Sequence, residues 1–142
     1  MKIAIGADHA GFELKEEIKE FLKDKGYDVH DYGTYSEERA DYPDYGHQVA
    51  NSVASNDAEK GVLVCGSAIG MCMVANRHKG VRAAVLRDEF DAEMSRKHND
   101  ANIACIGGRV SDEMVACQLI EKFMTTKFEG GRHEERVKKI DE

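Results

Sequence analysis

The chain has 142 residues, which fits a single domain, and its 42% hydrophobic and 33% charged residues argue against intrinsic disorder. Its 20 Lys and Arg residues against 27 Asp and Glu residues give a formal net charge of −7, which argues against general binding of nucleic acids or anionic membranes. No apolar run approaches the roughly 18 residues that a transmembrane helix requires.

Five short apolar segments, most of which end at glycine or a polar loop, are typical of β-strands. They are Lys2–Ile5, Tyr27–Asp31, Gly61–Cys65, Val81–Leu86 and Asn102–Ile106. The third and fourth segments are apolar enough to be covered on both faces, as the strands of a parallel sheet are.

The segments between these strands carry apolar residues at helical spacing. The first predicted helix ends near Gly26, and its apolar stripe consists of Leu14, Ile18, Phe21 and Leu22. The second follows Pro43, the only proline, which suits a first helical turn. Its stripe consists of Tyr45, Val49 and Val53. The third, around Met71–Ala75, is apolar nearly all round, so we expect it to be buried in the core or at a subunit interface.

Polar residues predict where the later helices begin. Asp88 is predicted to begin the fourth helix and Ser111 the fifth, since each is followed by acidic residues in the first turn. The inner stripe of the fifth helix consists of Ala116, Leu119, Ile120 and Phe123. A short sixth helix is predicted at Arg132–Ile140. The regular β-α order predicts an α/β fold of one domain, residues 1–142, with a parallel sheet covered by helices on both faces.

Two loops at the carboxyl ends of predicted strands hold chemically reactive residues, and ligands of open α/β sheets bind at such ends. The loop Cys65–Gly70 is rich in small residues that let backbone N–H groups approach a ligand. Cys65 at its base, near a helix N-terminus, is in a setting that favours the thiolate. The loop fits neither a Walker A nor a dinucleotide-binding motif, and a plain turn with a structural cysteine remains the alternative.

Other polar residues each admit two interpretations. Asp8 and His9, in the loop Gly6–Gly11, form either an acid/base pair or a helix cap. Tyr42 precedes a proline, so we expect it to be extended and either to line a pocket or to be half-buried. His98 lies before the fifth strand, at the opposite sheet edge from Cys65. If it shares a site with Cys65, it most simply comes from another subunit.

Arg132 and Arg136 are four residues apart and share the face of a predicted helix near its start. They form either a phosphate clamp or part of a solvated charged helix, with Glu134 and Glu135 as local partners. No Cys or His spacing typical of a metal site stands out. The four cysteines form no Cys-x-x-Cys pair, and Cys72, Cys105 and Cys117 are interpreted as small buried apolar residues. Together with a start too polar for a signal peptide, this favours a cytoplasmic protein.

Taken together, six segments in this order resemble the ribose/galactose isomerase family. They are Gly6–Gly11, Asp41–Tyr45, Cys65–Gly70, Ala75–Arg77, Ser95–Asn102 and Gly130–His133. The resemblance runs from Met1 to about Ile140. It implies a Rossmann-like three-layer α/β/α sandwich with a five-stranded parallel sheet. It also implies an aldose–ketose isomerase of ribose 5-phosphate and ribulose 5-phosphate that uses no metal or cofactor.

The resemblance further implies a homodimer, or a tetramer, in which two subunits build each active site and the C-terminal helix, about 130–142, reaches the partner. The implied catalytic residues are Cys65 as the base, Ser67 as its assistant, His98 for ring opening and Asp8 for proton transfer among oxygens. The backbone of Gly66, Ala68, Ile69 and Gly70 stabilises the enediolate. The implied contacts are Asn99 and Tyr42 to the sugar and His9, Arg132 and Arg136 to the phosphate, with Arg109 and His133 as weaker matches.

Ala68 departs from the family pattern, which has glycine at this position. If the loop requires a positive φ there, alanine is strained by about 1 kcal/mol. Ala68 therefore bears on the geometry of the loop and on the size of the substrate that fits it. Two alternatives to pentose isomerisation remain open. One is an isomerase of a six-carbon sugar phosphate, such as allose 6-phosphate or galactose 6-phosphate. The other is a phosphate- or nucleotide-binding module without catalysis.

Overall fold

The computed structural model describes all 142 residues and contains one five-stranded sheet. The strands are β1 Lys2–Ala7, β2 Asp28–Asp31, β3 Lys60–Cys65, β4 Ala83–Val85 and β5 Ile103–Gly107. Their spatial order is β2-β1-β3-β5-β4, and every pair is parallel. The predicted parallel sheet is therefore confirmed, with β1, β3 and β5 at its centre.

The chain has six helices, and the first five cover the two faces of this sheet. The six helices are α1 Phe12–Asp24, α2 Tyr42–Ala54, α3 Ile69–Ala75, α4 Glu89–Lys97, α5 Glu113–Thr125 and α6 Arg132–Ile140. One buried cluster joins α1, α4 and α5 to one face, and a second joins α2 and α3 to the other. Alternate residues of the central strands enter opposite clusters, as in Val62 and Leu63. This arrangement confirms the three-layer α/β/α sandwich. No helix has the length and apolar character needed to cross a membrane.

Most helices begin and end at the residues that the sequence predicts, and two of these predictions are wrong. Gly26 follows α1 with a φ of +91°, and α6 begins and ends where predicted. The prediction that Ser111 begins the fifth helix is wrong by one residue, because the Asp112 carboxylate accepts the hydrogen bond from the Val115 N–H at 2.9 Å. Before Pro43, the extended residue is Asp41, while Tyr42 is already the first residue of α2.

The expectation that the third helix is buried holds for only part of it. Met71 and Ala75 face the sheet and are fully buried. Ile69 and Met73 are 59% and 66% exposed on the other side. Two large apolar side chains, four residues apart on one face of α3, therefore meet solvent in the single chain.

A buried ion pair fixes the loop that follows β2. The Lys15 side chain has no exposed surface, and its Nζ donates to both oxygens of Asp31, at 2.9 and 2.7 Å, and to the Thr34 carbonyl at 2.7 Å. Burial opposes ionisation of Asp31, but hydrogen bonds from Lys15 and the Gly33 N–H hold its pKa below its usual value. The same loop bonds to Ala7 at the end of β1 through Gly33 and Thr34. The ion pair thus sets the loop next to Asp8.

Candidate active site

A cleft of about 570 Å³ lies at the carboxyl edge of the sheet, where β1, β3 and β5 end. Its lining consists of Asp8, Tyr42, Cys65, Gly66, Ser67, Ile69, Gly70, Met73, Arg109 and Val110. Eight of these ten residues were singled out from the sequence. Met73 and Val110 were missed, although the position of Met73 four residues after Ile69 could have placed both on one helix face.

Cys65 is the last residue of β3, and its side chain is 5% exposed. It packs with the buried cluster under α2 and α3 and also lines the cleft. Its carbonyl accepts a hydrogen bond from the Gly108 N–H at 2.7 Å, which ties the end of β3 to the loop after β5. The sulfur therefore sits in a shielded position at the base of the cleft.

The loop after Cys65 presents backbone donors. The N–H groups of Gly66, Ser67 and Ala68 donate to no other backbone group. The Ser67 hydroxyl is on the surface side and accepts from the Ile69 N–H at 3.3 Å. Ala68 has a φ of +73°, so the positive φ anticipated at this position is present. The loop thus turns through a conformation that glycine adopts more readily than alanine.

Asp8 lines the cleft but is not the cap of α1, whose N-cap residue is Gly11. Its Oδ1 accepts a hydrogen bond from the Gly11 N–H at 3.0 Å in the turn before α1, and the side chain, 7% exposed, also lines the cleft. The neighbouring His9 accepts at Nδ1 from the Ala40 N–H at 3.1 Å. Nδ1 also lies 3.2 Å from the Ala40 carbonyl oxygen, so the Ala40 backbone orients the ring through Nδ1 and leaves Nε2 for a ligand.

Two further side chains pack against the loop. A Cβ on Gly70 would lie 2.6 Å from Cε1 of Tyr42, so only glycine allows the Tyr42 ring to lie this close to the loop. Arg109, whose N–H donates to the Gly66 carbonyl at 3.0 Å, packs its guanidinium beside Gly66. A hydroxyl and a positive charge therefore border the small-residue loop.

A second thiol lies near the cleft but outside its lining. A hydrogen bond from the Cys105 thiol lowers the pKa of Cys72 to about 7, although burial opposes this shift. All four thiols are free. Cys105 is fully buried, whereas Cys72 and Cys117 are half-buried. The interpretation of these three cysteines as apolar packing residues therefore holds best for Cys105.

The remaining predicted residues gather elsewhere, around the start of α6. His98 caps the end of α4, and its ring stacks on His133 with centroids 4.2 Å apart and planes 13° from parallel. Burial and the neighbouring positive charges of Arg132 and Arg136 lower the pKa of His133. Asn99 is exposed, and neither arginine forms an ion pair with an acidic side chain. Asn99, Arg132 and Arg136 are thus exposed to a ligand from outside, whereas His133 is buried.

Sequence reasoning missed one member of this second group. The ligand atoms of His98, Glu129 and His133 all lie within 4.8 Å of one another. Glu129 and His133 are four residues apart, which is the one signal that could have placed them side by side.

The two groups lie at opposite edges of the sheet. Cys65 pairs with Gly107 at the end of β5, whereas His98 precedes the first residue of that strand. At about 3.3 Å per residue, β5 alone separates the two edges by roughly 16 Å. No side chain reaches across that distance, so one chain does not bring Cys65 and His98 together.

Comparisons with known proteins cover nearly the whole chain, including both groups of residues. A model of the family described as Ribose/Galactose Isomerase matches residues 3–140. Ribose-5-phosphate isomerase B of Escherichia coli is 43% identical over 139 residues, which cover 98% of this chain and 93% of that protein. A sugar phosphate isomerase of Bacillus subtilis, described as putative, is 41% identical and covers 100% of this chain and 96% of its own.

Solved structures agree in fold. A ribose 5-phosphate isomerase from Thermotoga maritima has a TM-score of 0.96 at 49% identity and covers 99% of this chain and 97% of its own. Ribose-5-phosphate isomerase B from Mycoplasma genitalium, solved with bound ribulose 5-phosphate, has a TM-score of 0.94 at 40% identity and covers 99% and 93%.

The strain at Ala68 predicts an unusual response to glycine. Relief of a left-handed alanine is worth about 1–2 kcal/mol, and the added backbone freedom of glycine takes back about 0.5–1 kcal/mol. We therefore expect Ala68→Gly to raise the free energy of unfolding by about 0–1.5 kcal/mol, measured by urea denaturation.

Ala75→Gly is the matched control, because Ala75 is also buried in this segment but lies within α3. That variant should lower the free energy of unfolding by about 1 kcal/mol or more. Equal destabilisation by the two substitutions would contradict the strain at Ala68.

Proposed function

The chain belongs to the ribose/galactose isomerase family, and from that membership we propose that it is an aldose–ketose isomerase that interconverts D-ribose 5-phosphate and D-ribulose 5-phosphate. The names of its relatives support the substrate. The observation that carries the chemistry is the cleft, in which one shielded cysteine lies beside a loop of unengaged N–H donors.

Cys65 is the base of this reaction. The C2–H bond of the open-chain aldose lies next to a carbonyl and is a weak acid in water, so its removal requires a positioned base and stabilisation of the oxyanion. The Cys65 thiolate takes the proton from C2, and the electron pair forms an enediolate across C1 and C2. The resulting thiol returns the proton to C1, which leaves the ketose.

The loop after Cys65 stabilises the enediolate. The N–H groups of Gly66, Ser67 and Ala68, which donate to no other backbone group, stabilise the developing negative charge, and the loss of one such donor costs roughly 10²–10³ in rate. Ser67 assists by hydrogen bonding, and Asp8 moves the proton between the oxygens on C1 and C2. Tyr42 borders the same loop and contacts the sugar.

The partner subunit supplies the second half of each site. Ring opening requires an acid/base group, and His98 lies at the wrong edge of its own sheet. In a homodimer, His98 and Asn99 of one chain enter the cleft of the other, and α6 reaches across with them. The exposed apolar face of α3, with Ile69 and Met73, supports a subunit interface beside the cleft.

Phosphate binding provides remote orientation of the sugar. His9 presents its Nε2, and Arg109 borders the cleft. Arg132 and Arg136 carry guanidinium groups without an acidic partner in the chain. His133 adds a weaker contact. The four free thiols are compatible with a reducing compartment, and a cytoplasmic location is part of the proposal.

Substrate preference tests the function directly. We expect kcat/KM for ribose 5-phosphate to exceed that for allose 6-phosphate and galactose 6-phosphate by about 10–200-fold, because a pocket fitted to five carbons disfavours an additional one. A coupled assay of ketose formation measures all three. A preference for a six-carbon substrate would overturn the pentose assignment, and turnover of none would favour a binding module.

The role of Cys65 predicts a loss of turnover without a loss of binding. Cys65→Ala should lower kcat about 10²–10⁴-fold, the usual contribution of a general base, with the affinity for ribose 5-phosphate largely retained. Cys72→Ala is the control, because the pKa of Cys72 is lowered to about 7 but its thiol lies outside the cleft. Full activity of the Cys65 variant would refute the assigned base.

The shared site predicts recovery of activity on mixing inactive chains. A heterodimer of Cys65→Ala and His98→Asn contains one intact site, so equal mixing should restore about one quarter of wild-type activity. Mixing Cys65→Ala with Asp8→Asn should restore none, because both residues belong to the same half-site. The absence of recovery after demonstrated subunit exchange would count against the shared site.

A further inference from the structure

The ring of His98 is held by its face and not by a hydrogen bond. It stacks on the ring of His133, with centroids 4.2 Å apart and planes 13° from parallel. The imidazole rings that form hydrogen bonds in this chain are those of His9, His47 and His78, so both ring nitrogens of His98 are open. An acid/base group needs its nitrogens for proton exchange, and a stack orients the ring without occupying them.

The supporting ring is itself fixed. His133 lies in the first turn of α6 and is 4% exposed, and its N–H donates to the Gly130 carbonyl at 3.1 Å. Val137, four residues later, is buried on the same side of the helix. The buried Nε2 of His133 makes no hydrogen bond, and Oε1 of Glu129 lies 3.5 Å away. The contact that this ring makes with another functional group is therefore through its face.

The segments that carry the two rings are bonded to each other. The Glu129 N–H donates to the Lys97 carbonyl at 3.1 Å, which ties the chain before α6 to the residue directly before His98. Gly130 and Gly131 follow with φ values of +72° and +57°, which glycine adopts without strain, and they lead the chain into α6. The geometry of the stack is thus set by local backbone contacts of this one chain.

The charge of the supporting ring also suits this arrangement. Burial and the neighbouring His98 and Arg132 lower the pKa of His133, so its ring is neutral at neutral pH. His98 becomes positively charged whenever it takes a proton from the sugar, and a second positive charge beside it would oppose that step. A neutral ring therefore supplies orientation without repulsion.

We propose that His133 is a positioning residue for His98, whose ring plane it fixes for the opening of the sugar, and that this support is its main role in turnover. The inference rests on the proposed function, in which His98 opens the ring. Burial separates this role from phosphate binding, because His133 offers little surface to a ligand, whereas Arg132 and Arg136 are exposed and charged.

The two substrates separate ring opening from proton transfer. Ribose 5-phosphate is mainly a closed furanose, so its isomerisation requires ring opening. Ribulose 5-phosphate is open-chain, because its C5 oxygen is esterified and its C4 hydroxyl could close only a four-membered ring onto C2. Exchange of a C1 hydrogen of ribulose 5-phosphate with solvent deuterium, followed by NMR, therefore measures proton transfer by Cys65 without ring opening.

His133→Ala should lower kcat for ribose 5-phosphate about 10–10²-fold without raising KM, because misplacing a reacting group by about 1 Å costs up to about 10²-fold. Its deuterium exchange of ribulose 5-phosphate should match that of the wild type. His133→Phe keeps a flat ring and removes no hydrogen bond of Nε2, so it should recover most of kcat. Val137→Ala is the control for damage to α6, and it should leave both assays unchanged because Val137 lies outside the stack.

Three results would overturn the inference. A raised KM at unchanged kcat in His133→Ala would assign His133 to phosphate binding, and an equal loss in both assays would give it a general structural role. Failure of His133→Phe to recover kcat would exclude the stack as the cause.

The stack also has a readout that needs no turnover. In the wild type, the His133 ring should shift the NMR signals of the His98 ring protons upfield, and His133→Ala should remove this shift. A wild type that shows the shift but isomerises no ribose 5-phosphate would defeat the proposed function and the inference together. An active wild type whose kcat is matched by His133→Ala would defeat the inference alone.

Discussion

The length of a parallel strand is the constraint on which the site depends. Because β3 and β5 run side by side in the same direction, the residue that ends β3 and the residue that precedes β5 lie at opposite edges of the sheet. About 16 Å of strand separates them, several times the reach of an imidazole. The proposed function therefore requires a second copy of the chain. In that proposal, one edge offers the base and the oxyanion donors, and the other offers the ring-opening histidine and the guanidinium groups.

At the carboxyl edge of the sheet, the loops that border the cleft are held in place by contacts that add little net stability to the fold. A buried ion pair such as Lys15–Asp31 repays its desolvation only when further hydrogen bonds satisfy it, which the Thr34 carbonyl and the Gly33 N–H do here. Its consequence is positional, because it holds the loop after β2 against Ala7 and so beside Asp8. Ala68 likewise accepts a strained φ to direct the loop after Cys65. The Lys15–Asp31 pair and the left-handed Ala68 therefore fix the shape of the cleft while adding little to the free energy of unfolding.

Features set by local sequence were predictable. The apolar runs located all five strands, Gly26 marked the end of α1, and the order of elements fixed a parallel sheet. Features set by distant contacts were not. The position of Glu129 beside His98 depends on one hydrogen bond to Lys97, across the whole of α5. The exposure of Met73 depends on which face of α3 meets the sheet, which an all-apolar helix does not specify.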